Sequence, residues 1–297
     1  MRALLFPGQG SQIPGMGQDF YEGSPAARDV LDAAASVAGP DFLSLLFDGP
    51  AETLNLTANA QPALVAVEVA IARHLESIGV QPSVCAGHSV GEFSALVLAG
   101  AMAFEDAFAL VQARGRCMSD DVPEGTMSAV LMLESAKVEA ALPKGAYVAN
   151  YNGPTQTILA GTKEALERAA VAMKEAGARR ILPVKVSGPF HSPLMKHAET
   201  AFRNVLQSVE ISEPSIPFVS SVTGNREDDP ETIRELLAQQ ICAPIRWTDV
   251  FETIGPVSAV ECGPGKVLQG IAKRMEHAPD VALAGTLEQA TQLEVAV

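Results

Sequence analysis

Cysteine is scarce in this sequence: there are four in 297 residues (Cys85, Cys117, Cys242 and Cys262), and none forms a C-x-x-C pair. Such wide spacing suits reduced, mostly buried thiols and points away from a disulfide framework or a zinc site. Metal-binding histidine patterns are missing as well. His74, His88, His191, His197 and His277 form neither H-x-x-x-H nor H-E-x-x-H, so no metal site is expected. Positive charge is in deficit, 21 Lys and Arg against 35 Asp and Glu, for a formal net charge of −14. Nucleic acid or an anionic membrane would be repelled unless a local basic patch received it, whereas small anionic ligands stay open. No apolar run approaches the length of a membrane span, and Met1–Pro7 lacks a long apolar signal stretch, which sets a cytoplasmic expectation. The glycine-rich stretch Pro7–Gln12 has no G-K-[ST] continuation, so it is not read as a phosphate loop.

What is present is an ordinary soluble balance, 47% hydrophobic and 19% charged, in a chain long enough for a large core with an insertion. The stretch that organises it is Gly87-His88-Ser89-Val90-Gly91, a G-x-S-x-G pattern. It follows a short apolar run, Ser83 to Ala86, and precedes a helix-like run, Glu92 to Leu98. Glycines two residues either side of the serine let neighbouring backbone pass close. The strand-to-helix turn can then push a hydroxyl out of the sheet above a helix N-terminus. Helix-terminal N–H groups there can hold an oxyanion. Without context the same pattern also occurs in plain glycine-rich loops.

Arg2–Phe6 reads as a first buried strand running into the Pro7–Gln12 loop, which is either a simple βα turn or a ligand-facing loop at a strand's C-terminal end. Helices are expected at Ser24–Ala38, Ala58–Ile78 and Phe104–Met118; Val65, Val69, Ile71 and Leu75 of the second lie near one face. From Ser128 to Val186 short segments follow in the order β-α-β-β-α-β, a ferredoxin-like sequence of elements between Pro123-Glu124-Gly125 and Ser187-Gly188-Pro189. The parallel α/β pattern then resumes, with strands at Pro217–Val222, Ala259–Glu261 and Val281–Leu283. Helices are expected at Glu231–Ile241, Trp247–Ile254 and Val267–Met275. From Glu288 onward the tail is weakly patterned and expected to fray. The expected fold is α/β: an α/β-hydrolase-like parallel-sheet large subdomain (1–124 and 188–297) with an inserted ferredoxin-like small subdomain (125–187).

Two side chains carry alternative readings. His191, at the second joint, is either a surface histidine or the base that an exposed serine needs within hydrogen-bond reach. His88 is its rival, disfavoured because a residue adjoining the nucleophile in a tight turn points its side chain elsewhere. Arg114, on a mostly apolar helix, is either solvated or a two-pronged clamp for a carboxylate.

Several local motifs coincide in order: Phe6-Pro7-Gly8-Gln9-Gly10-Ser11-Gln12, Gln61-Pro62-Ala63, Gly87-His88-Ser89-Val90-Gly91-Glu92, Arg114-Gly115-Arg116-Cys117-Met118, Phe190-His191-Ser192 and Glu261-Cys262-Gly263-Pro264-Gly265-Lys266. Together they resemble, nearly end to end, the malonyl-CoA:acyl carrier protein transacylases and related synthase acyltransferase domains. The resemblance implies malonyl-CoA as substrate, acyl carrier protein as partner, and no bound cofactor. Ser89 would be the nucleophile and His191 the base, with the N–H groups of Gln9 and Val90 as oxyanion hole and Arg114 on the malonyl carboxylate. Gln240 would orient the histidine through a backbone carbonyl, and Phe190, Met118 and Asn152 would line the pocket. Phe190 departs from the serine found in many stand-alone fatty-acid enzymes, leaving fatty acid and polyketide pathways both open. A monomer is expected. Arg179, Arg180, Lys185, Lys266, Lys273 and Arg274 are the candidate basic patch for an acidic carrier.

Overall fold

The computed structural model describes residues 2–293. Its larger sheet contains β1 (Arg2–Phe6), β2 (Val84–Gly87), β7 (Phe218–Val219), β8 (Arg226–Glu227), β9 (Ser258–Glu261) and β10 (Asp280–Leu283), in the order β10-β9-β1-β2-β7-β8. All neighbours pair in parallel except the edge strand β8. A parallel sheet is covered on both faces, so its central strands read as continuous apolar runs. Here successive residues feed opposite cores. Leu4, Phe6, Cys85 and Val260 point toward the helices at 57–77, 91–98 and 104–117, while Ala3, Leu5, Ala86 and Ala259 meet Trp247, Phe251, Leu268 and Ile271.

The smaller sheet is antiparallel and contains β3 (Thr126–Leu131), β4 (Ala146–Gly153), β5 (Gln156–Gly161) and β6 (Arg180–Val184), in the order β4-β5-β3-β6. With helices Ser135–Ala140 and Lys163–Glu175 this is the order expected of a ferredoxin-like unit. The period-2 alternation assigns its two faces. Val130 and Leu159 pack under the unit's own helices, while Met127, Ile158 and Ala160 turn to the large core.

Several sequence expectations change. The helix at Thr57–Ser77 is buried on nearly every side, not on one face, because helices 25–38, 91–98 and 104–117 surround it. Asn152 and Gly153 belong to β4 instead of a turn, and β4 is irregular between Tyr151 and Gly153. The expected strand at 217–222 shortens to Phe218–Val219, where Ser220 and Ser221 leave the ladder. Helices at Gln18–Gly23, Phe42–Asp48 and Ala51–Leu54 were hidden in segments broken by Gly and Pro. The tail also orders: Thr286 caps helix Leu287–Thr291 and Asp19 accepts the Leu287 N–H at 2.6 Å, leaving residues 294–297 outside the described part.

Candidate active site

Close backbone approach dictates both elbow glycines. A Cβ on Gly87 would lie 1.9 Å from the Gly91 carbonyl carbon, and one on Gly91 would lie 2.4 Å from the Phe6 oxygen. Ser89 between them takes φ 54°, the left-handed region, and helix Gly91–Leu98 starts directly after it. Gly8 plays the matching part in the facing loop, since its Cβ would meet the His88 carbonyl oxygen at 2.8 Å. The Pro7–Gln12 loop can therefore lie against the elbow. No protein acceptor among the described residues takes the N–H of Gln9 or of Val90. Both residues line one cavity of about 180 Å³ with Ser89, and Val90 opens a helix, where unpaired N–H groups favour negative charge.

His191 also has a left-handed backbone, φ 57°, and its N–H donates to Ile241 O at 3.1 Å. Its Nε2 lies 2.9 Å from Ser89 Oγ, and its Nδ1 lies 2.7 Å from the carbonyl oxygen of Gln240. A carbonyl only accepts, so Nδ1 carries the proton and Nε2 presents a lone pair to the serine. Gln240 directly follows helix Pro230–Gln239, whose negative dipole end favours that donor. Burial, reinforced by the Arg114 charge, pushes the His191 pKa down to about 3, which keeps the imidazole neutral. His88 turns away: its Nε2 pairs with Asn152 Oδ1 at 3.0 Å and its ring packs on Trp247, joining the elbow to the small sheet.

Arg114 is fully buried on helix Phe104–Cys117. One terminal nitrogen donates to Gln61 Oε1 at 2.7 Å, and the other to Gln240 Oε1 at 2.8 Å and to Ser89 Oγ at 3.3 Å. No carboxylate pairs with it directly among the described residues. Burial lowers its pKa to about 10, with Glu92 opposing, so it remains a cation at neutral pH. A buried guanidinium held by two neutral amides and a hydroxyl is prepared for an anion arriving from outside. Phe190 and Met118 line the same cavity, and Met127, Ile158, Val184 and Val186 of the small subdomain roof it.

The sequence reading missed the wiring around Arg114. Gln61 stands in the sequence only as part of a motif, although a glutamine leading into the apolar run Pro62–Val67 is itself a signal that a polar partner meets it. Glu92 likewise had no assigned part, yet it is buried and bonded to the Gln240 side chain. All six candidate patch cations are exposed, but they are not all together. Lys266, Lys273 and Arg274 share one groove with Gln156, while Lys185 adjoins the cavity-lining Val184 and Val186. Arg179 and Arg180 stand at the opposite end of β6.

An elbow serine bonded to a histidine, beside a two-sheet α/β cleft, is the arrangement of an acyl-transfer enzyme, and the chain belongs to the acyl transferase domain family, whose model matches residues 3–296. More particularly, it is 40% identical over 286 residues to the malonyl CoA-acyl carrier protein transacylase of Bacillus subtilis, covering 93% of this chain and 90% of that one. The enzyme of the same name from Escherichia coli K12 is 40% identical over 306 residues, covering 99% and 98%. Among solved structures, a malonyl-transacylase in complex with its type II polyketide synthase acyl-carrier protein superposes with a TM-score of 0.93 at 39% identity, covering 98% and 97%. An acyl carrier protein S-malonyltransferase from Vibrio cholerae gives 0.92 at 39%, covering 98% and 99%.

Proposed function

We propose that the protein moves a malonyl group from malonyl-CoA to the phosphopantetheine thiol of an acyl carrier protein through a malonyl ester on Ser89. The observation that carries this reading is the buried Arg114 guanidinium, 3.3 Å from Ser89 Oγ and paired with no carboxylate among the described residues. A neutral acyl group has no use for such a cation; an acyl group ending in a carboxylate does.

In the first half-reaction Ser89 Oγ attacks the thioester carbonyl as His191 Nε2 takes the hydroxyl proton. The carbonyl oxygen becomes an oxyanion facing the N–H groups of Gln9 and Val90. The tetrahedral intermediate collapses, the C–S bond breaks, and His191 returns the proton to the departing CoA sulfur. In the second half-reaction the carrier thiol gives its proton to His191 while its sulfur attacks the ester, and Ser89 Oγ leaves with that proton. No acidic third member is needed, because the Gln240 carbonyl fixes the imidazole and a thiolate is a good leaving group. Arg114 holds the malonyl carboxylate throughout, giving orientation as well as charge pairing. No bound cofactor enters the scheme. The groove of Lys266, Lys273 and Arg274 would receive the acidic carrier. The proposed site of action is the cytoplasm; no helix among the described residues is long and apolar enough to cross a membrane.

The test is to load the enzyme with radiolabelled malonyl-CoA, remove excess substrate and add holo carrier protein. Label should pass to the carrier. Release as free malonate, equally fast with and without carrier, would make the protein a hydrolase instead.

A further inference from the structure

Arg114 does not stand alone in its pocket. Its terminal nitrogen donates to Gln240 Oε1 at 2.8 Å, and the other end of that carboxamide, Nε2, donates to Ser89 O at 3.1 Å and to Glu92 Oε2. The second Glu92 oxygen, Oε1, accepts the backbone N–H of Ser221. Glu92 is buried in the first turn of the helix that follows the nucleophile, where negative charge is favoured. We propose that Glu92 is the positioning residue of the carboxylate pocket: it locks the Gln240 carboxamide with its oxygen toward Arg114 and so holds the guanidinium where a malonyl carboxylate meets it. This rests on Arg114 being the site of the malonyl carboxylate.

Glu92 faces two N–H donors, one from Ser221 and one from Gln240, and a carboxylate accepts at both oxygens. An amide of the same shape has one acceptor and one NH₂. In Glu92→Gln, either the Ser221 N–H or the Gln240 NH₂ must then face another donor. If Gln240 flips to resolve the conflict, its NH₂ turns toward Arg114 and its oxygen toward Ser89 O, opposing like groups at both places. The new NH₂ must meet either the Ser221 N–H or the Gln240 NH₂, so one buried donor is left unpaired at a cost, and where it is the Gln240 NH₂ the carboxamide loses its lock. The carboxylate also places a compensating charge beyond Gln240 from a cation that no carboxylate among the described residues pairs directly. Burial pushes the Glu92 carboxyl up to about 7, opposed chiefly by the Ser221 N–H, which marks it as a costly group to bury. The histidine side of the site is held separately, by the Gln240 main-chain carbonyl and by the His191 N–H to Ile241. The imidazole is therefore kept, and the effect should fall chiefly on the acyl carboxylate, with a smaller and substrate-independent part through the Ser89 main chain.

The experiment is a double-mutant cycle of Glu92→Gln with Arg114→Ala, each variant assayed with malonyl-CoA and acetyl-CoA in single-turnover acylation. Glu92→Gln should lower the malonyl-to-acetyl ratio of kcat/KM about tenfold or more, the scale of a hydrogen bond to a charged group, mainly through KM. In the Arg114→Ala background the same change should leave that ratio as it was. If Glu92→Gln yields no folded protein, Glu92→Asp keeps the charge but draws the carboxylate back from the Gln240 carboxamide, and carries the same expectation. Equal losses for both substrates, or an undiminished effect on the ratio without Arg114, would overturn the proposal and leave Glu92 a structural group. Failure of Arg114→Ala itself to change the ratio would instead overturn the underlying reading of Arg114.

Discussion

Replacing Arg114 by alanine separates binding of the acyl carboxylate from acyl-transfer chemistry. In the cavity the guanidinium is held by Gln61 Oε1 and Gln240 Oε1, at 2.7 and 2.8 Å, and it reaches Ser89 Oγ at 3.3 Å. A malonyl group esterified to that oxygen would carry its carboxylate into the same small space. Without the cation, a carboxylate drawn from water into a closed cleft has no partner. The loss is that of one member of a buried charge pair, about 3 kcal/mol or more. At about 1.4 kcal/mol per tenfold, malonyl kcat/KM should drop about 10²-fold or more. Acetyl transfer should hold level or rise, since the oxyanion donors and the Ser89–His191 pair stay in place. The two glutamine oxygens left without their donor cost about 1–3 kcal/mol of stability, so melting temperature is measured alongside and assays run well below it. Arg114→Lys should recover only part of the malonyl rate, because an ammonium cannot offer the two parallel bonds of a guanidinium. The assay compares kcat/KM for malonyl-CoA and acetyl-CoA in wild type and both variants. Parallel loss for both substrates in Arg114→Ala would refute the carboxylate role and make Arg114 a support of the elbow.

The neutral His191 predicts a pH profile. With its pKa pushed down to about 3, acetylation by acetyl-CoA should stay level from pH 7 to about 5, where an ordinary histidine base would lose most of its activity; a limb near 6.5 would contradict the burial argument. The unfolded chain binds that proton below about pH 6.5 and the folded chain only near 3. His191 therefore contributes stability above about 6.5 that is lost as pH falls through this window, and a His191→Gln variant should show a shallower loss than wild type in urea melts at successive pH values. Gly87→Ala should destabilise the fold by about 3 kcal/mol or more in chemical denaturation, because its Cβ would lie 1.9 Å from backbone; unchanged stability would mean the elbow can relax. Charge reversal of Lys273 and Arg274 should raise KM for the carrier protein and leave malonyl-CoA acylation unchanged; equal effects on both half-reactions would remove the groove from carrier docking.

The elbow was legible because its signal is local: two glycines at fixed offsets are demanded by backbone approaches of 1.9 and 2.4 Å. The small subdomain was legible in the order of its elements, since period-2 and helical runs alternate there with little interruption. The long helix at 57–77 misled because periodicity separates a buried face from an exposed one and carries little information when every face is buried. The hydrogen-bond relay was out of reach for a different reason. Glu92 and Gln240 meet across 148 residues of chain, and nothing near either residue announces the other. The tail helix was missed similarly, because its anchor, Asp19, lies at the other end of the sequence. The candidate cations for an acidic carrier, drawn from both subdomains, do not form one patch, because β6 sets Arg179 and Arg180 at one end and Lys185 at the other.

In the proposed reaction Ser89, activated by His191 at 2.9 Å, carries the malonyl group as an ester. Intact-mass spectrometry after brief exposure to malonyl-CoA, followed by peptide mapping, tests it most directly. Wild type should gain a single malonyl group on the peptide containing Ser89 and lose it on addition of holo carrier protein, while Ser89→Ala should gain none. A malonyl adduct that persists in folded Ser89→Ala, or transfer to the carrier without any adduct on the enzyme, would contradict the account.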